Sequence, residues 1–311
     1  MTDDTMVDRD AEQDSTRSGF VALIGAPNAG KSTLVNQLVG TKVSIVTHKV
    51  QTTRALVRGI AIRGRTQIVF VDTPGVFRPK RRLDRAMVRT AWGGAKDADI
   101  VLAIVDADRG VSEEVEAILQ RLKEVRQPLV LLLNKVDRMK RERLLALTSE
   151  ITARGVQFDR VFMISALTGS GCDDVMDYLA EALPEGPWYY PEDQISDLPL
   201  RQLAAEITRE KLYLRLHQEL PYASHVETER WEERPDGSVR IEQTIYVERD
   251  SQKRIVLGHK GETIKAIGQQ ARVEIAEAAD QPVHLFLFVK VRENWGDDPE
   301  RYREMGLDFS S

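Results

Sequence analysis

The sequence predicts two folded domains: an α/β domain with a mostly parallel sheet, followed by a smaller α+β domain. From residue 20, short apolar runs each end in a glycine or polar loop and are followed by helical periodicity, which is typical of strand–helix units around a parallel sheet. A stretch rich in proline and glycine at 183–191 interrupts both periodicities. The length of 311 residues also favours two cores over one.

The first domain is predicted to contain five buried strands and to end with a helix at 173–182. These strands are apolar runs bounded by loop residues, and they lie at 20–24, 68–71, 100–105, 128–133 and 160–164. Functional loops are expected to follow their C-terminal ends.

The second domain is predicted to have the element order α-β-β-α-α-β. A Pro-Asp-Gly turn at 235–237 joins its first two strands, and a glycine-flanked turn at 258–261 joins its last two helices. The predicted elements are a helix at 200–220, strands at 223–231 and 239–248, a short helix from 251, a helix ending near 278, and a strand at 283–291. The expected organisation is therefore an acidic disordered tail (1–17), a first domain (18–183), a linker (184–199), a second domain (200–296) and a loose C-terminal tail (297–311).

Composition excludes several classes of protein. The net charge of −5 and the pI of about 5.7 argue against a protein that coats nucleic acid by bulk charge. A single cysteine, Cys172, cannot form an internal disulfide or a multi-cysteine zinc cluster, which fits a reducing compartment. Neither a signal core nor an apolar run of roughly 18 to 20 residues is present. We therefore expect a cytoplasmic protein.

The first chemical motif, GAPNAGKS at 25–32, fits the phosphate-loop template and lies between an apolar strand and an amphipathic helix. Glycines let backbone N–H groups approach phosphate oxygens, and the helix N-terminus adds positive potential. Lys31 is expected to reach the outer phosphates, and Ser32 is expected to bind Mg²⁺. The alternative, a chance glycine turn, does not explain the strand, the helix and the Lys-Ser pair together.

The second motif, DTPG at 72–75, directly follows the apolar strand at 68–71. It is expected to bring Asp72 beside the magnesium and the N–H of Gly75 near the γ-phosphate. Taken alone, this pattern is more often an ordinary turn, and only the phosphate loop makes it informative.

The third motif, NKVD at 134–137, predicts guanine recognition. The Asp137 carboxylate can accept from guanine N1–H and from the N2 amino group, and adenine offers neither donor there. Lys135 is expected to lie over the purine, and the backbone N–H groups of Ser165 and Ala166 are expected to donate to guanine O6. An isolated N-K-x-D is more often a loop or a helix cap. Here it follows the phosphate loop and the DTPG motif along the chain, and this order makes it specific.

This ordered set resembles the Ras-like P-loop GTPases, and in particular the Era family, through QTTR at 51–54 and VDTPG at 71–75. The resemblance implies that Thr53 is the switch threonine that binds Mg²⁺ when the γ-phosphate is present. Its neighbour Thr52 could be confused with it, and both could simply occupy a polar loop. The predicted catalytic residues are Lys31, Thr53 and Gly75, and the predicted metal ligands are Ser32, Thr53 and Asp72. The residues expected to contact GTP or GDP are Gly25, Asn28, Ala29, Gly30, Lys31, Ser32, Thr33, Asp72, Gly75, Asn134, Lys135, Asp137, Ser165, Ala166 and Leu167.

Hydrolysis is expected to be slow and stimulated by potassium or RNA, because Val76 follows the DTPG motif. Ras-type proteins have a glutamine there that orients the attacking water, and valine cannot hydrogen-bond to water. Catalysis would then depend on electrostatic positioning by magnesium, Lys31 and backbone N–H groups. By resemblance to related GTPases, Asn28 is expected to help hold a potassium ion that replaces an arginine finger.

The second domain contains one chemical motif, GHKG at 258–261, which is weak alone because helix-capping turns often contain it. Its element order fits a type II KH domain, in which such a loop clamps a single-stranded backbone and an apolar groove holds unstacked bases. Residues 251–272 contain five bases and one acid, which favours phosphate contact over a solvated helix face. The predicted RNA-binding residues are Lys253, Arg254, Ile255, Gly258, His259, Lys260, Gly261, Ile264, Lys265 and Ile267.

Residues 246–268 also resemble the KH segment of the Era family. The resemblance implies a monomer that binds the 3′ end of 16S rRNA and controls assembly of the 30S ribosomal subunit through GTP. Two alternatives stay open. The first is an RNA-binding scaffold with incidental hydrolysis. The second is a peripheral membrane GTPase in cell-cycle signalling with weak contact to the inner face of the cell membrane, although the sequence has no lipidation motif or basic amphipathic anchor.

Overall fold

The computed structural model of the chain describes residues 15–47, 49, 52–54, 56–79, 82–216, 224–293, 299, 302 and 307. Most of the predicted acidic tail, Gln51 of the QTTR motif, the predicted helix end at 217–220 and most of 297–311 lie outside these residues. No described helix is both long enough and apolar enough to cross a membrane.

The first domain is built on a six-stranded sheet with the order β2-β3-β1-β4-β5-β6. Only β2 runs antiparallel to its neighbour, and the other pairs are parallel. The strands are β1 (Arg17–Gly25), β2 (Val57–Arg63), β3 (Thr66–Asp72), β4 (Ile100–Asp106), β5 (Leu129–Asn134) and β6 (Arg160–Ile164). Four of the five predicted strands lie within one of these and the fifth, at 128–133, starts one residue before β5, so the parallel sheet of the prediction is confirmed.

Strand β2 was not among the predicted strands. Its sequence, VRGIAIR, carries charged residues and a glycine, and such a segment resembles a loop in sequence. In the structure it pairs along its full length with β3 at the edge of the sheet. Gly59 allows close approach to α1 (Lys31–Val39), because a Cβ atom at Gly59 would lie 2.8 Å from Val39 Cγ2.

Helices cover both faces of this sheet, as expected for an α/β domain. One apolar cluster lies between the sheet and helices α1 and α5 (Cys172–Ala182). A second cluster fills the opposite face, against α2 (Arg82–Asp97), α3 (Glu113–Leu122) and α4 (Arg141–Thr152). The C-terminal ends of β1, β3, β4, β5 and β6 therefore meet at one uncovered edge, which carries the predicted motifs.

The second domain packs three helices against one face of a three-stranded sheet. The sheet has the order β7-β8-β9, with β7 and β8 antiparallel and β8 and β9 parallel. The elements are α6 (Leu200–Arg215), β7 (Ser224–Glu233), β8 (Val239–Val247), α7 (Asp250–Leu257), α8 (Glu262–Ala279) and β9 (Val283–Val291). The predicted α-β-β-α-α-β order is confirmed, although α6 ends at Arg215 rather than at 220.

Two described residues near the C-terminus pack against the first domain. Tyr302 is completely buried and Leu307 is 4% exposed, and both belong to an apolar cluster with Leu83 and Met87 of α2. The prediction of a loose tail is therefore wrong at these two positions. Isolated apolar residues in a polar segment carry no periodicity, so this contact could not be predicted from the sequence.

Candidate functional site: a nucleotide pocket and a basic loop

The GAPNAGKS motif forms the turn between β1 and α1, and two of its glycines are required there. Gly30 has a φ of 101°, and a Cβ atom on it would lie 2.2 Å from Asn134 Nδ2. At Gly25, a Cβ atom would lie 2.6 Å from the carbonyl oxygen of Ile104. Larger residues would push the loop away from the sheet edge, so the glycines keep this backbone beside the pocket.

Lys31 folds back over the phosphate loop. Its Nζ donates to the carbonyl oxygens of Gly25 and Ala26, each at 3.1 Å. Burial lowers the pKa of Lys31 to about 8, although the charge of Asp72 opposes this shift. A buried ammonium group with so little compensating charge favours an anion beside it, and the phosphates of a nucleotide would supply that charge.

Three predicted metal ligands, Ser32, Thr53 and Asp72, converge on one point. Ser32 Oγ donates to Asp72 Oδ2 at 2.7 Å, and Thr53 Oγ1 lies 3.0 Å from Ser32 Oγ and 3.3 Å from Asp72 Oδ2. A third hydroxyl, from Ser44, donates to the same carboxylate oxygen at 2.6 Å. The sequence did not reveal Ser44, because it lies in a loop far from any recognised motif.

The environment of Asp72 fits a bound cation. The residue is fully buried, and its Oδ1 atom has no hydrogen-bond partner among the described residues. Burial raises the pKa of Asp72, and the hydroxyls of Ser44 and Ser32 oppose this rise. The described residues contain no cluster of three His, Cys, Asp or Glu side chains. An Mg²⁺ ion here would therefore take most of its ligands from phosphate and water, as is usual for this ion.

The DTPG turn lies directly against the phosphate loop. A Cβ atom on Gly75 would lie 3.0 Å from Pro27 Cα, so a side chain there would separate the two loops. Val76 donates its N–H to the Gly25 carbonyl at 3.0 Å, and its side chain is only 8% exposed. Val76 is thus part of the core behind the pocket.

Asn134 organises the base-binding side of the pocket. Its Nδ2 donates to the carbonyl of Ala29 at 2.8 Å, and its Oδ1 accepts from the N–H groups of Lys135 and Ala166. This buried amide therefore connects the phosphate loop to the loop after β6. Its role is to position the loops, since it is only 1% exposed.

Lys135 and Asp137 are presented to the pocket by a left-handed residue and a short 3-10 turn (Val136–Arg138). Lys135 has a φ of 68°, and its Nζ donates to the Asn28 carbonyl at 2.8 Å and to Asp106 Oδ2 at 2.6 Å. Asp137 is exposed at the rim. Asp106, at the C-terminal end of β4, was not among the predicted site residues. Like Asp72, it is an acidic residue that follows a buried apolar run, so the sequence pattern could have indicated it.

The expectation for Ser165 and Ala166 is not supported in this structure. The N–H of Ser165 donates to the Ser170 carbonyl at 2.9 Å, and that of Ala166 donates to Asn134 Oδ1 at 2.9 Å. Both amides predicted to bind guanine O6 are therefore already bonded within the protein. The next residue, Leu167, is 72% exposed at the same side of the pocket.

These loops enclose a cavity of about 270 Å³. It is lined by predicted residues of all three motifs, of the QTTR segment, of the start of α1 and of the loop after β6, namely Asn28, Gly30, Lys31, Ser32, Thr33, Thr53, Gly75, Asn134, Lys135, Asp137, Ala166 and Leu167. The other predicted residues, Gly25, Ala29, Asp72 and Ser165, are buried and support this wall from behind.

The second candidate site is the GHKG loop between α7 and α8. Gly258 has a φ of 73°, and a Cβ atom there would lie 2.2 Å from Thr263 Oγ1. Gly261 also has a positive φ, with open space around its Cβ direction. The loop therefore exposes its backbone at the N-terminus of α8, where a phosphate is favoured.

The side chains around this loop differ in their availability. Arg254, His259, Lys260 and Lys265 are exposed, and Gly258, Gly261 and Lys253 are half-buried. Ile255 is 55% exposed and Ile264 is partly buried, so both can contact a ligand. Ile267 is completely buried in the core of the domain, so the prediction that bases rest on it is not supported in this structure.

Comparisons with known proteins give a family for each domain. The family described as a 50S ribosome-binding GTPase matches residues 20–135, and the KH domain family matches residues 219–296. The chain is 78% identical to GTPase Era of Mesorhizobium japonicum over 96% of each protein. It is 74% identical to GTPase Era of Rhizobium meliloti over 99% of each. The chain belongs to the Era family of GTPases.

Solved structures of Era extend this result to the fold. A complex of Era with MgGDPNP and nucleotides 1506–1542 of 16S ribosomal RNA is 38% identical, with a TM-score of 0.89 over 94% of this chain and 99% of that one. A variant of Aquifex aeolicus Era bound to GDP.AlF4- matches with the same TM-score, identity and coverage. The predictions of a Ras-like GTPase domain, a KH domain and GTPase activity are thus confirmed.

Proposed function

We propose that this Era-family GTPase uses Mg²⁺-bound GTP to control the binding of its KH domain to the 3′ end of 16S rRNA during assembly of the 30S subunit. In this proposal residues 18–183 form the GTPase domain, 184–199 the linker and 200–296 the RNA-binding domain. The protein acts as a cytoplasmic monomer. Contact with the membrane stays a prediction, because no described feature bears on it.

The single observation that carries the nucleotide part is the convergence of four hydroxyl and carboxyl side chains, Ser32, Ser44, Thr53 and Asp72, beside a buried Lys31. Lys31 would bind the outer phosphates, and the magnesium would neutralise phosphate charge. Ser32 and Thr53 would hold the metal directly, with Asp72 behind them. Gly75 would donate its N–H to the γ-phosphate, and Asp137 would select guanine.

Hydrolysis is proposed to be slow without a stimulating partner. Val76 is buried and cannot orient water, so the rate depends on how well Lys31, Thr53 and the backbone N–H of Gly75 are positioned. Asn28, in a left-handed conformation with a φ of 64°, turns its carbonyl towards Lys135 and lines the pocket. We retain it as the candidate residue for a potassium ion.

The RNA part is supported by the exposed basic loop and by the solved Era complex, in which that protein holds nucleotides 1506–1542 of 16S rRNA. Lys260 and Lys265 are exposed on either side of Gly261, where an RNA backbone can approach closely. Such lysines would contact phosphates and supply affinity, and Ile255 and Ile264 would contact bases.

The test compares RNA binding and hydrolysis in one set of variants. Lys260→Asp should weaken binding to a synthetic 3′ end of 16S rRNA by at least about tenfold through phosphate repulsion, and GTP affinity should stay unchanged. The matched control is Lys123→Asp, which alters an exposed lysine of the GTPase domain. Equal RNA affinity in both variants would refute the RNA site. Single-turnover GTP hydrolysis that is unaffected by RNA would favour the scaffold alternative over the switch.

A further inference from the structure

The loop between α1 and β2 is here called the switch loop (residues 41–56), and several of its described residues contact helix α6 of the KH domain. Val46 donates its N–H to Glu210 Oε1 at 2.8 Å, and Lys42 Nζ donates to Glu210 Oε2 at 2.7 Å. Lys49 Nζ donates to the carbonyls of Tyr213 and Leu216 at the C-terminal end of the helix. The described part of the switch loop is therefore bonded to α6 at several points.

The contacts become closest around Thr53. On one side, Arg209 of α6 donates to the carbonyl oxygen of Thr52. On the other side, Arg54 donates to the Ser224 carbonyl and to the Tyr213 hydroxyl, each at 2.9 Å. The threonine that approaches Ser32 and Asp72 thus lies between two residues that are each bonded to the KH domain.

These contacts are buried, which makes them energetically important. Arg209 is 1% exposed and Arg54 is 3% exposed, so both guanidinium groups are held away from water. Arg209 is paired with Glu206, which lies one helical turn before it. Removing a hydrogen-bond acceptor from a buried cation costs free energy. Arg209 therefore stabilises the loop position in which the Thr52 carbonyl accepts its hydrogen bond.

We propose that Arg209 of the KH domain is a positioning residue for GTP hydrolysis, which holds the switch loop so that the Thr53 hydroxyl stays beside Ser32 and Asp72. This rests on the proposed role of Thr53. The KH domain then completes the GTPase site from outside the domain that binds the nucleotide. Because such coupling is reciprocal for binding, a rearrangement of α6 and β7 on RNA would change the affinity for GTP.

A cavity of about 280 Å³ adjoins the same contacts. Ser44, Thr53 and Arg54 line it from the GTPase domain, and Glu206, Arg209 and His225 line it from the KH domain. Side chains around such a space have fewer packing contacts than those of a filled core, so the switch loop can separate from α6 at a lower cost than a core segment can. Among the bonds between the switch loop and α6, the one made by Arg209 lies next to Thr53.

The decisive variant is Arg209→Gln, with Arg201→Gln as its matched control. Arg201 lies on the same helix, but its guanidinium donates to the Thr228 carbonyl at 2.9 Å, within the KH domain. Arg209→Gln should lower single-turnover GTP hydrolysis by roughly 10- to 100-fold, because small displacements of positioning groups have effects of this size. GDP affinity should stay unchanged. Arg201→Gln should hydrolyse GTP at the parent rate.

A second measurement uses the protein without bound nucleotide. Hydrogen exchange of the switch loop in the nucleotide-free protein should become roughly tenfold faster in Arg209→Gln, because local opening costs less free energy. It should stay unchanged in Arg201→Gln. If Arg209→Gln fails to fold, Arg209→Lys decides the question, since it keeps a charge beside Glu206 but lacks the fork that reaches both partners. It should show an intermediate loss.

Thr53→Ala separates this inference from the proposed function. If Arg209 acts through Thr53, Arg209→Gln should slow hydrolysis in the parent protein but not in the Thr53→Ala background. If Thr53→Ala slows hydrolysis while Arg209→Gln and Arg201→Gln both behave like the parent, the inference is wrong and the proposed function stands. If Thr53→Ala itself has no effect, the proposed role of Thr53 is wrong, and the inference fails with it.

Discussion

The nucleotide pocket and the contact between the switch loop and α6 lie next to each other but are built differently. The pocket is formed by loops that follow strands of one sheet, and short side chains and backbone groups link them, as Asn134 does between Ala29 and Ala166. The interface joins two domains through long cationic side chains, such as Arg54 and Arg209, that reach backbone carbonyls.

The pocket is the preformed part of the molecule, and the interface depends on contact between the domains. The sheet holds the loops of the pocket in place. Gly25 and Gly30 leave no room for a side chain, and Asn134 is bonded to two of these loops. At the interface, Arg54 and Arg209 are buried and each donates to a group of the other domain, and a cavity lies beside them. A rearrangement of the domains would therefore move the switch loop, while the loops that the sheet holds stay in place.

The largest effect should come from Asp137→Asn, which tests whether the pocket is preformed for guanine. We expect GTP affinity to fall by at least about 100-fold, because the amide cannot accept from both guanine donors, and xanthosine triphosphate should become the better ligand. Competition against a fluorescent guanine nucleotide measures both affinities. Asp108→Asn, an exposed acid near the pocket, is the control. Unchanged GTP affinity in Asp137→Asn would mean that the base lies elsewhere.

The pH dependence of GTP affinity provides a smaller and graded test of the pocket. Lys31 has a pKa of about 8 in the protein without nucleotide, and bound phosphate raises it. Below about pH 7 the group is already protonated, so affinity should be flat. Above pH 8 binding requires proton uptake, and affinity should fall by about tenfold per pH unit. Lys31→Met should bind GTP weakly, and its affinity should not change with pH through residue 31. Any pH dependence that this variant still shows comes from titration of the nucleotide itself.

The same shift predicts the sign of a stability effect. The pKa of Lys31 is lower in the folded chain than its ordinary value of 10.5. Between pH 8 and 10.5 the unfolded chain therefore holds more protons, and the contribution of Lys31 to the free energy of unfolding increases with pH. Deprotonation of Lys31 at alkaline pH would therefore lower GTP affinity without destabilising the folded chain.

The sequence predicted the pocket well because its motifs are local. Each motif directly follows a strand, so the sheet brings Lys31, Asp72 and Asn134 together without further information. Ser44 was missed because it lies in the switch loop, where no periodicity or motif identifies it. The availability of Ser165 and Ala166 could not be judged either, since their amide partners are set by the detailed course of the loop.

The interface was not predictable for a different physical reason. The contacts of Arg209 and Arg54 join residues more than 150 positions apart in the chain. An arginine in an amphipathic helix ordinarily faces solvent, and only the packing of two domains buries it. Strand β2 and the Tyr302 contact with α2 share this origin, because their stability comes from tertiary neighbours rather than from local pattern.

The smallest expected effect, and the most direct test of whether the interface is closed in solution, comes from Tyr213→Phe. Tyr213 is completely buried, and its hydroxyl accepts from Arg54 while its ring lies beside both arginines. The phenylalanine ring keeps the packing and removes the hydroxyl, which interacts with Arg209 as well as with Arg54. Because Arg54 still donates to the Ser224 carbonyl, we expect the free energy of unfolding to fall by about 1.5 kcal/mol, the lower end for a hydrogen bond to a charged group.

Denaturant unfolding without nucleotide measures this loss, and Tyr189→Phe is the matched control. Tyr189 is 55% exposed in the segment between the domains, so its hydroxyl should contribute less than about 0.5 kcal/mol. If Tyr213→Phe behaves like Tyr189→Phe, the two domains are not held together by this contact without nucleotide. In that case the preformed pocket would be the only part of the site that exists before GTP binds, and switch-loop closure would require the nucleotide itself.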